Sequence, residues 1–256
     1  MELRDRFNED AISYDRYRPT YPDALFWDIM AYSGAKAGSK AVEIGVGTGQ
    51  ATKPFLEAGY KVCGVELGDR LSAFVSEKYR NYDNFDVYCG DYMEQSFEEA
   101  SIDLIYSATA FHWLPQKEAY KKIRRELRGG GTLAVFRNHP YPNREDDETN
   151  AASRRIYDRL RPSEKKIVEF SENDCQLVVK DLRENGFREV ESKLYRRVRT
   201  LSTEDYIGLL NTYSDHRALE IRLKEHFEEE MRAAINAVGG SIHIYDTIDL
   251  YLARNP

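Results

Sequence analysis

Three glycines on alternate positions, Gly45, Gly47 and Gly49, follow an embedded acid, Glu43, and run into a helix-compatible segment from Gln50 to Ala58. Glycine tolerates positive φ and lets a ligand approach the backbone closely, so a turn of this kind at a strand end can cradle a nucleoside. A second acid, Glu66, closes the next apolar run, Lys61 to Val65. It stands about 20 residues on, where a carboxylate in a βαβ unit can receive both hydroxyls of a ribose. A third acid, Asp91, lies between Gly90 and Tyr92. A carboxylate there suits an exocyclic amine donor, and it is also placed to cap the turn that follows. The glycine spacing departs from the Gly-x-Gly-x-x-Gly of dinucleotide folds, because the third glycine comes one residue early and Gln50 stands where that pattern wants glycine. A tight turn with close helix–strand packing would use the same residues.

The elements that must position these groups alternate regularly. Apolar runs predict strands at 41–44, 61–66, 85–89, 101–107 and 131–136, with helices at 50–58, 69–79 and 116–127 between them. Such alternation predicts a parallel, doubly wound sheet, in which ligands bind outside the carboxyl ends of the strands. That rule gathers Gly45 to Gly49, Glu66, Asp91 and Ser107 to His112 around one crevice. The fold class expected is α/β, with a Rossmann-like, doubly wound seven-stranded sheet and a helical cap.

Composition narrows the function classes. Hydrophobic residues make up 41% and charged residues 32% of the 256, enough for one large domain with an appended cap. A net charge of −7 argues against a nucleic-acid binder, which normally presents a basic stripe to phosphates. The three cysteines, Cys63, Cys89 and Cys175, have no Cys-x-x-Cys spacing, and the first two fall in strands expected to be buried. They suggest a reducing cytoplasm and neither a metal site nor a disulfide framework. The charged stretch Met1 to Asp10 has no apolar signal segment, and no run approaches a membrane span. The expectation is a cytoplasmic monomer or homodimer with no nucleic-acid or membrane partner.

Glu43, Gly45, Gly47 and Gly49 resemble the Glu/Asp-x-Gly-x-Gly-x-Gly motif of class I S-adenosylmethionine-dependent methyltransferases. The resemblance covers roughly Phe7 to Phe136, and the terminal strands loosely. It implies S-adenosyl-L-methionine as cofactor, S-adenosyl-L-homocysteine as product and a small-molecule methyl acceptor. By the resemblance, Glu43 and the turn (Gly45, Gly47, Thr48, Gly49) hold the methionine moiety, Glu66 the ribose, and Asp91 with Tyr92 the adenine, with Leu67 a further cofactor contact. Ser107, Ala108 and Phe111 flank the methyl group. The run Ala110-Phe111-His112-Trp113 looks like a small-molecule branch that includes trans-aconitate methyltransferase-like proteins, which favours O-methylation, a carboxylate among the candidates. DNA amino-methyltransferases carry an Asn/Asp-Pro-Pro-Tyr-type tetrad at this place. Here Asn138-His139-Pro140-Tyr141 falls after the fifth strand and reads as loop. His112 either walls the pocket or serves as general base, for which its ordinary pKa is suitable. Trp113 is a further substrate-side candidate.

Before the first strand, Tyr14-x-x-Tyr17-Arg18-Pro19-x-Tyr21-Pro22 and a helix at 23–32 resemble the lead-in that closes over the cofactor in small-molecule methyltransferases. Tyr14 and Arg18 would then reach the methionine end, Arg18 as a fork for its carboxylate; the alternative is a packing arm. Beyond Phe136, helices are expected at 148–160 and 175–185, a strand at 190–200, a helix opening at Ser202-Thr203 and another carrying Leu219, Leu223, Phe227 and Met231. A last strand alternates Ile242, Ile244, Ile248, Leu250 and Leu252. The long helical connection brings Tyr213, His216 and Arg217, which either line the substrate side or sit at the surface. The organisation expected is an arm at 1–36, a cofactor-binding core at 37–140, and cap segments with the terminal strands at 141–256. A non-catalytic cofactor binder and an NAD-type oxidoreductase are the competing readings.

Overall fold

The computed structural model of the chain describes residues 10–163 and 168–256. The start of the expected arm, before residue 10, and residues 164–167 of the expected cap lie outside them. Seven strands, β1 (Lys40–Ile44), β2 (Lys61–Glu66), β3 (Phe85–Cys89), β4 (Ile102–Ala108), β5 (Leu127–Tyr141), β6 (Arg188–Ser202) and β7 (Ser241–Arg254), form one sheet in the order β3-β2-β1-β4-β5-β7-β6. The first five pair in parallel. Register sets Ile44 opposite Val65, Glu66 opposite Cys89 and Glu43 opposite Tyr106. The carboxyl ends of β1 to β4 therefore share one edge of the sheet. The ten helices of the described residues are α1 (Ala11–Tyr17), α2 (Asp23–Ser33), α3 (Lys53–Glu57), α4 (Asp69–Lys78), α5 (Gln116–Glu126), α6 (Glu148–Leu160), α7 (Glu172–Glu184), α8 (Thr203–Leu210), α9 (Ser214–Arg217) and α10 (Ile221–Ala237).

The chain divides into two compact units. One comprises Pro19–Asn138, Ser171–Tyr195 and Ile248–Pro256; the other Met1–Arg18, His139–Phe170 and Arg196–Thr247. The first is built on β1 and β4, buried almost throughout as central parallel strands must be. Its core is aromatic. Phe26 of α2 packs edge-on to Phe55 of α3 and to Phe136 of β5, and Phe55 lies 4.5 Å from the ring of Tyr106. In α2 the residues Leu25, Phe26 and Ile29 point inward, and the helix stops at Gly34, whose left-handed φ of 62° returns its N–H to Met30. The second unit has its own core, where Ile156 of α6, Leu209 and Leu210 of α8, and Phe227, Met231 and Ile235 of α10 pack with Ile242 and Ile244.

Several elements differ from the sequence expectation, each for a local reason. The helix expected at 50–58 is only Lys53–Glu57, since Pro54 pins its first turn and residues 50–52 stay in the turn. Arg128-Gly129-Gly130 does not precede β5 but lies within it. There the pairing with β4 jumps from Ile102–Leu127 to Leu104–Thr132, and Gly130 takes a φ of 72°. β5 also continues through Asn138 to Tyr141, so that tetrad is strand and not loop. Tyr14 and Tyr17 sit on a helix, α1, capped by Asp10. The buried stripe of α10 is Phe227, Met231 and Ile235, while Leu219 precedes the helix. Cys89 is exposed because β3 is an edge strand, and Cys63 on β2 is half-buried; all three cysteines are free thiols. β7 alternates as far as Tyr245 only, and from Asp246 to Ala253 it is buried on both faces. Among the described residues no helix is long and apolar enough to cross a membrane.

Candidate active site

At the end of β1 the glycine turn takes shape around one carboxylate. Gly45, Gly47 and Gly49 all adopt positive φ, at 71°, 58° and 83°. Glu66, the last residue of β2, accepts the Gly47 N–H on Oε2 at 2.8 Å and the Gly68 N–H on Oε1 at 3.0 Å. One side chain thus joins the glycine turn to the turn that opens α4. It is nearly buried, and that burial pushes its pKa upward against the pull of its backbone donors. Leu67, just after the strand, is 43% exposed beside it.

Two of the glycines are required by close contact within the protein. A Cβ on Gly45 would stand 2.4 Å from the Cβ of Ala110, and one on Gly49 would stand 2.4 Å from the Tyr79 ring, whose hydroxyl donates to the Gly49 carbonyl at 2.8 Å. Glu43 is equally internal: its Oε2 accepts from Thr52 Oγ1 at 2.6 Å and Tyr106 Oη at 2.9 Å. Fully buried, it has its pKa pushed up to about 8 by desolvation, with the Glu66 charge a lesser contribution. Its contacts tie β4 and the start of α3 to the base of the turn. Thr48 is buried as well, accepting from Gln50 Nε2 on its hydroxyl and from Lys78 Nζ on its carbonyl.

At the end of β3, Asp91 accepts the Met93 N–H on Oδ1 at 2.8 Å, so it does cap the turn that follows. The Tyr92 ring is buried and its hydroxyl donates to Glu126 at 2.7 Å, part of a buried cluster with Lys122. Tyr92 therefore leaves its backbone, not its ring, beside Asp91.

At the end of β4, Ser107 is fully buried and donates to the Ile44 carbonyl at 2.9 Å, which locks the ends of β4 and β1 together. Ala108 closes the strand. A 3-10 turn, Phe111–Trp113, follows, with Phe111 buried against Tyr120 at 5.2 Å and with His112 and Trp113 exposed, their rings 4.8 Å apart. His112 is thus open to solvent and does not form a buried wall. Between them lies a residue that sequence reasoning passed over. Thr109 has a φ of 56°, and its hydroxyl pairs with Tyr21 Oη at 2.7 Å. Nothing in the sequence signals this, since threonine is a poor choice for left-handed backbone.

In the other unit, Tyr14, Arg18 and Tyr213 come together. The Arg18 guanidinium lies 4.9 Å from the Tyr14 ring centre and 4.6 Å from that of Tyr213, and donates to the Thr212 carbonyl at 2.8 Å. His216 is neither at the surface nor open: it is buried between Tyr157 Oη at 3.0 Å and Arg161 Nη1 at 2.7 Å, and burial lowers its pKa to about 4. Asp246, also unforeseen, fills the gap in the β7 alternation and holds Arg197 and Arg199 with its buried carboxylate.

The donor set at the edge of β1, β2 and β3 suits a nucleoside. Two carboxylates stand at adjacent strand ends, one fixed to the glycine turn, with an exposed leucine beside it. Among the described residues no group of three or more His, Cys, Asp or Glu could hold a metal ion. A family model described as a methyltransferase domain matches residues 42–135, from β1 to β5. An uncharacterized methyltransferase of Geobacillus kaustophilus is 33% identical over 56% of this chain and 70% of its own length. Among solved structures, a candidate type II methyltransferase from Anaeromyxobacter dehalogenans superposes with a TM-score of 0.67 at 21% identity, over 93% of this chain and 98% of that one. Haemonchus contortus phosphoethanolamine N-methyltransferase 2, in complex with S-adenosyl-L-methionine, superposes at 0.58 with 16% identity, over 100% of this chain and 60% of that one. The family match falls on the strands and turn that carry the site, and the chain belongs to the methyltransferase family.

Proposed function

We propose that the protein transfers a methyl group from S-adenosylmethionine to an oxygen of a small-molecule acceptor, leaving S-adenosylhomocysteine. The observation that carries this reading is Glu66, held by the Gly47 and Gly68 amides so that a carboxylate stands beside the glycine turn. Both of its oxygens accept backbone N–H groups there, and a carboxylate offers about four lone-pair sites in all, so room for further donors remains. Glu66 thus receives the ribose hydroxyls. Asp91 takes the adenine amine, Leu67 lies against the adenine ring, and the glycine turn borders the methionine end. The cofactor supplies an electrophilic methyl on a sulfonium leaving group. The remaining work of the chain is placement, which can supply most of the acceleration of such a transfer. The segment 107–113 sets the acceptor oxygen in line. His112 takes the acceptor proton where a hydroxyl is methylated; a carboxylate acceptor arrives ionised and needs no base. The free thiols fit a reducing cytoplasm.

Calorimetric titration with S-adenosylmethionine, S-adenosylhomocysteine and NAD in parallel tests the cofactor. Micromolar binding of the first two alone supports the reading; binding of NAD instead overturns it. An acceptor screen with labelled S-adenosylmethionine, carboxylic acids set against alcohols and amines, then tests the acceptor class. Incorporation into amines alone would refute O-methylation.

A further inference from the structure

We propose that Thr109 is a positioning residue of the methyl-transfer site, a latch whose hydroxyl fixes the turn bearing Phe111, His112 and Trp113. This rests on the assignment of that turn to the acceptor side. Thr109 stands at the junction between β4 and the turn, with a φ of 56°. A β-branched side chain is strained in left-handed backbone, and glycine would adopt the same conformation without cost. Strain of this kind persists only where the surroundings over-determine it. Here they do. The Thr109 N–H donates to the Phe136 carbonyl at 2.8 Å, and its Oγ1 pairs with Tyr21 Oη at 2.7 Å and accepts the Asn138 N–H at 3.3 Å.

Two other segments thus converge on this threonine at the end of β4: the stretch before α2, through Tyr21, and β5, through Phe136 and Asn138. Tyr21 is itself fixed, edge-on to Phe136 at 4.8 Å. The next residue, Ala110, rests on Gly45, where no Cβ fits. The direction of the chain at Thr109 consequently sets both how the turn leaves the sheet and how it seats on the glycine turn. A hydroxyl is what glycine lacks, and its two bonds explain why threonine occupies a glycine-like position.

The turn carries its own reporter. The chain has two tryptophans, so Trp27→Phe leaves Trp113 as the sole tryptophan, read apart from the 18 tyrosines by exciting at the red edge of indole absorption. In that background, Thr109→Gly keeps the backbone conformation accessible and removes the latch. Thr109→Val removes the hydroxyl at nearly constant shape, Tyr21→Phe removes its partner, and Thr109→Ser restores it. The expected result is a changed Trp113 emission maximum and at least a twofold change in acrylamide quenching for Thr109→Gly and Tyr21→Phe, with Thr109→Ser matching the parent. S-adenosylhomocysteine affinity should fall in the same order, with Thr109→Gly and Tyr21→Phe weaker than Thr109→Ser, because the turn seats on the glycine turn through Ala110. Unchanged Trp113 emission and quenching in Thr109→Gly would overturn the proposal. So would equal changes in Thr109→Ser and Thr109→Gly, which would make any substitution disruptive. Absence of S-adenosylhomocysteine binding to the parent protein would instead refute the cofactor reading, and the fluorescence comparison stands apart from it.

Discussion

Replacing Glu66 by glutamine tests the site most directly, because the structure dictates what the amide must do. The two carboxylate oxygens face two backbone donors, Gly47 N–H at 2.8 Å and Gly68 N–H at 3.0 Å. Whichever way the amide turns, its NH2 faces one of those N–H groups, donor against donor. The remaining oxygen keeps one backbone partner without the charge. A hydrogen bond to a charged group is worth about 1.5–3 kcal/mol against about 1 for a neutral one. On the proposed assignment, two ribose contacts are weakened and the turn that shapes the cradle is loosened. The expected loss is about 2–3 kcal/mol of cofactor binding, a weakening of roughly 30- to 150-fold. Glu66→Ala, which leaves room for water, should still lose more than about 1 kcal/mol. The assay is calorimetric titration with S-adenosylhomocysteine, with the circular dichroism melt of each variant as the folding control. Burial raises the Glu66 pKa, so the ionised acceptor is lost earlier on acidification than for an exposed glutamate. Wild-type affinity should therefore weaken on acidification, beginning at a higher pH than an exposed glutamate would set, and the glutamine variant should lack that dependence. A folded Glu66→Gln protein that binds within twofold of wild type, with the same pH profile, would refute the reasoning.

Glu43 makes a prediction about stability. Its pKa rises from 4.5 to about 8 in the fold, so between those values the folded state binds more protons than the unfolded, and stability falls as the pH rises through that window. At about 1.36 kcal/mol for each pH unit the whole effect is on the order of 5 kcal/mol; urea titrations at pH 5, 6.5 and 8 should show this slope in wild type and not in Glu43→Gln, and parallel slopes would exclude it. Gly49→Ala should cost about 2–4 kcal/mol, because φ is 83° and the new Cβ meets the Tyr79 ring. Gly34→Ala, at φ 62° with nothing within 4 Å, should cost only about 1 kcal/mol; equal losses would show that packing is not the reason for glycine at 49. Asp246→Ala removes the buried carboxylate shared by Arg197 and Arg199 and should cost about 3–5 kcal/mol in a denaturant melt, whereas a loss below about 1 kcal/mol would show that the carboxylate is dispensable.

Local chemistry in the sequence determined much of this protein. The alternation of apolar runs with helical segments specified the parallel sheet, because strands buried on both faces must be apolar and helices must supply the cover. Spacing set Glu66 at the end of a strand near the glycine turn, and the helix expected at 148–160 is found there, opened by the Asp147 cap. What sequence could not supply is which way a side chain points once the strands are paired. Glu43 and Ser107 look like ligand contacts in the chain, yet pairing of β1 with β4 turns them to Tyr106 and Ile44, so they build the site from beneath. Gly45 and Gly49 are glycines because Ala110 and Tyr79, distant in sequence, occupy the space a Cβ would take. Thr109 carries no sequence signal, since its left-handed backbone is stabilised by Tyr21, Phe136 and Asn138, which only the folded chain brings within hydrogen-bonding distance. Periodicity is a property of neighbours along the chain, while strain and contact are properties of neighbours in space, and only the tertiary structure decided the latter.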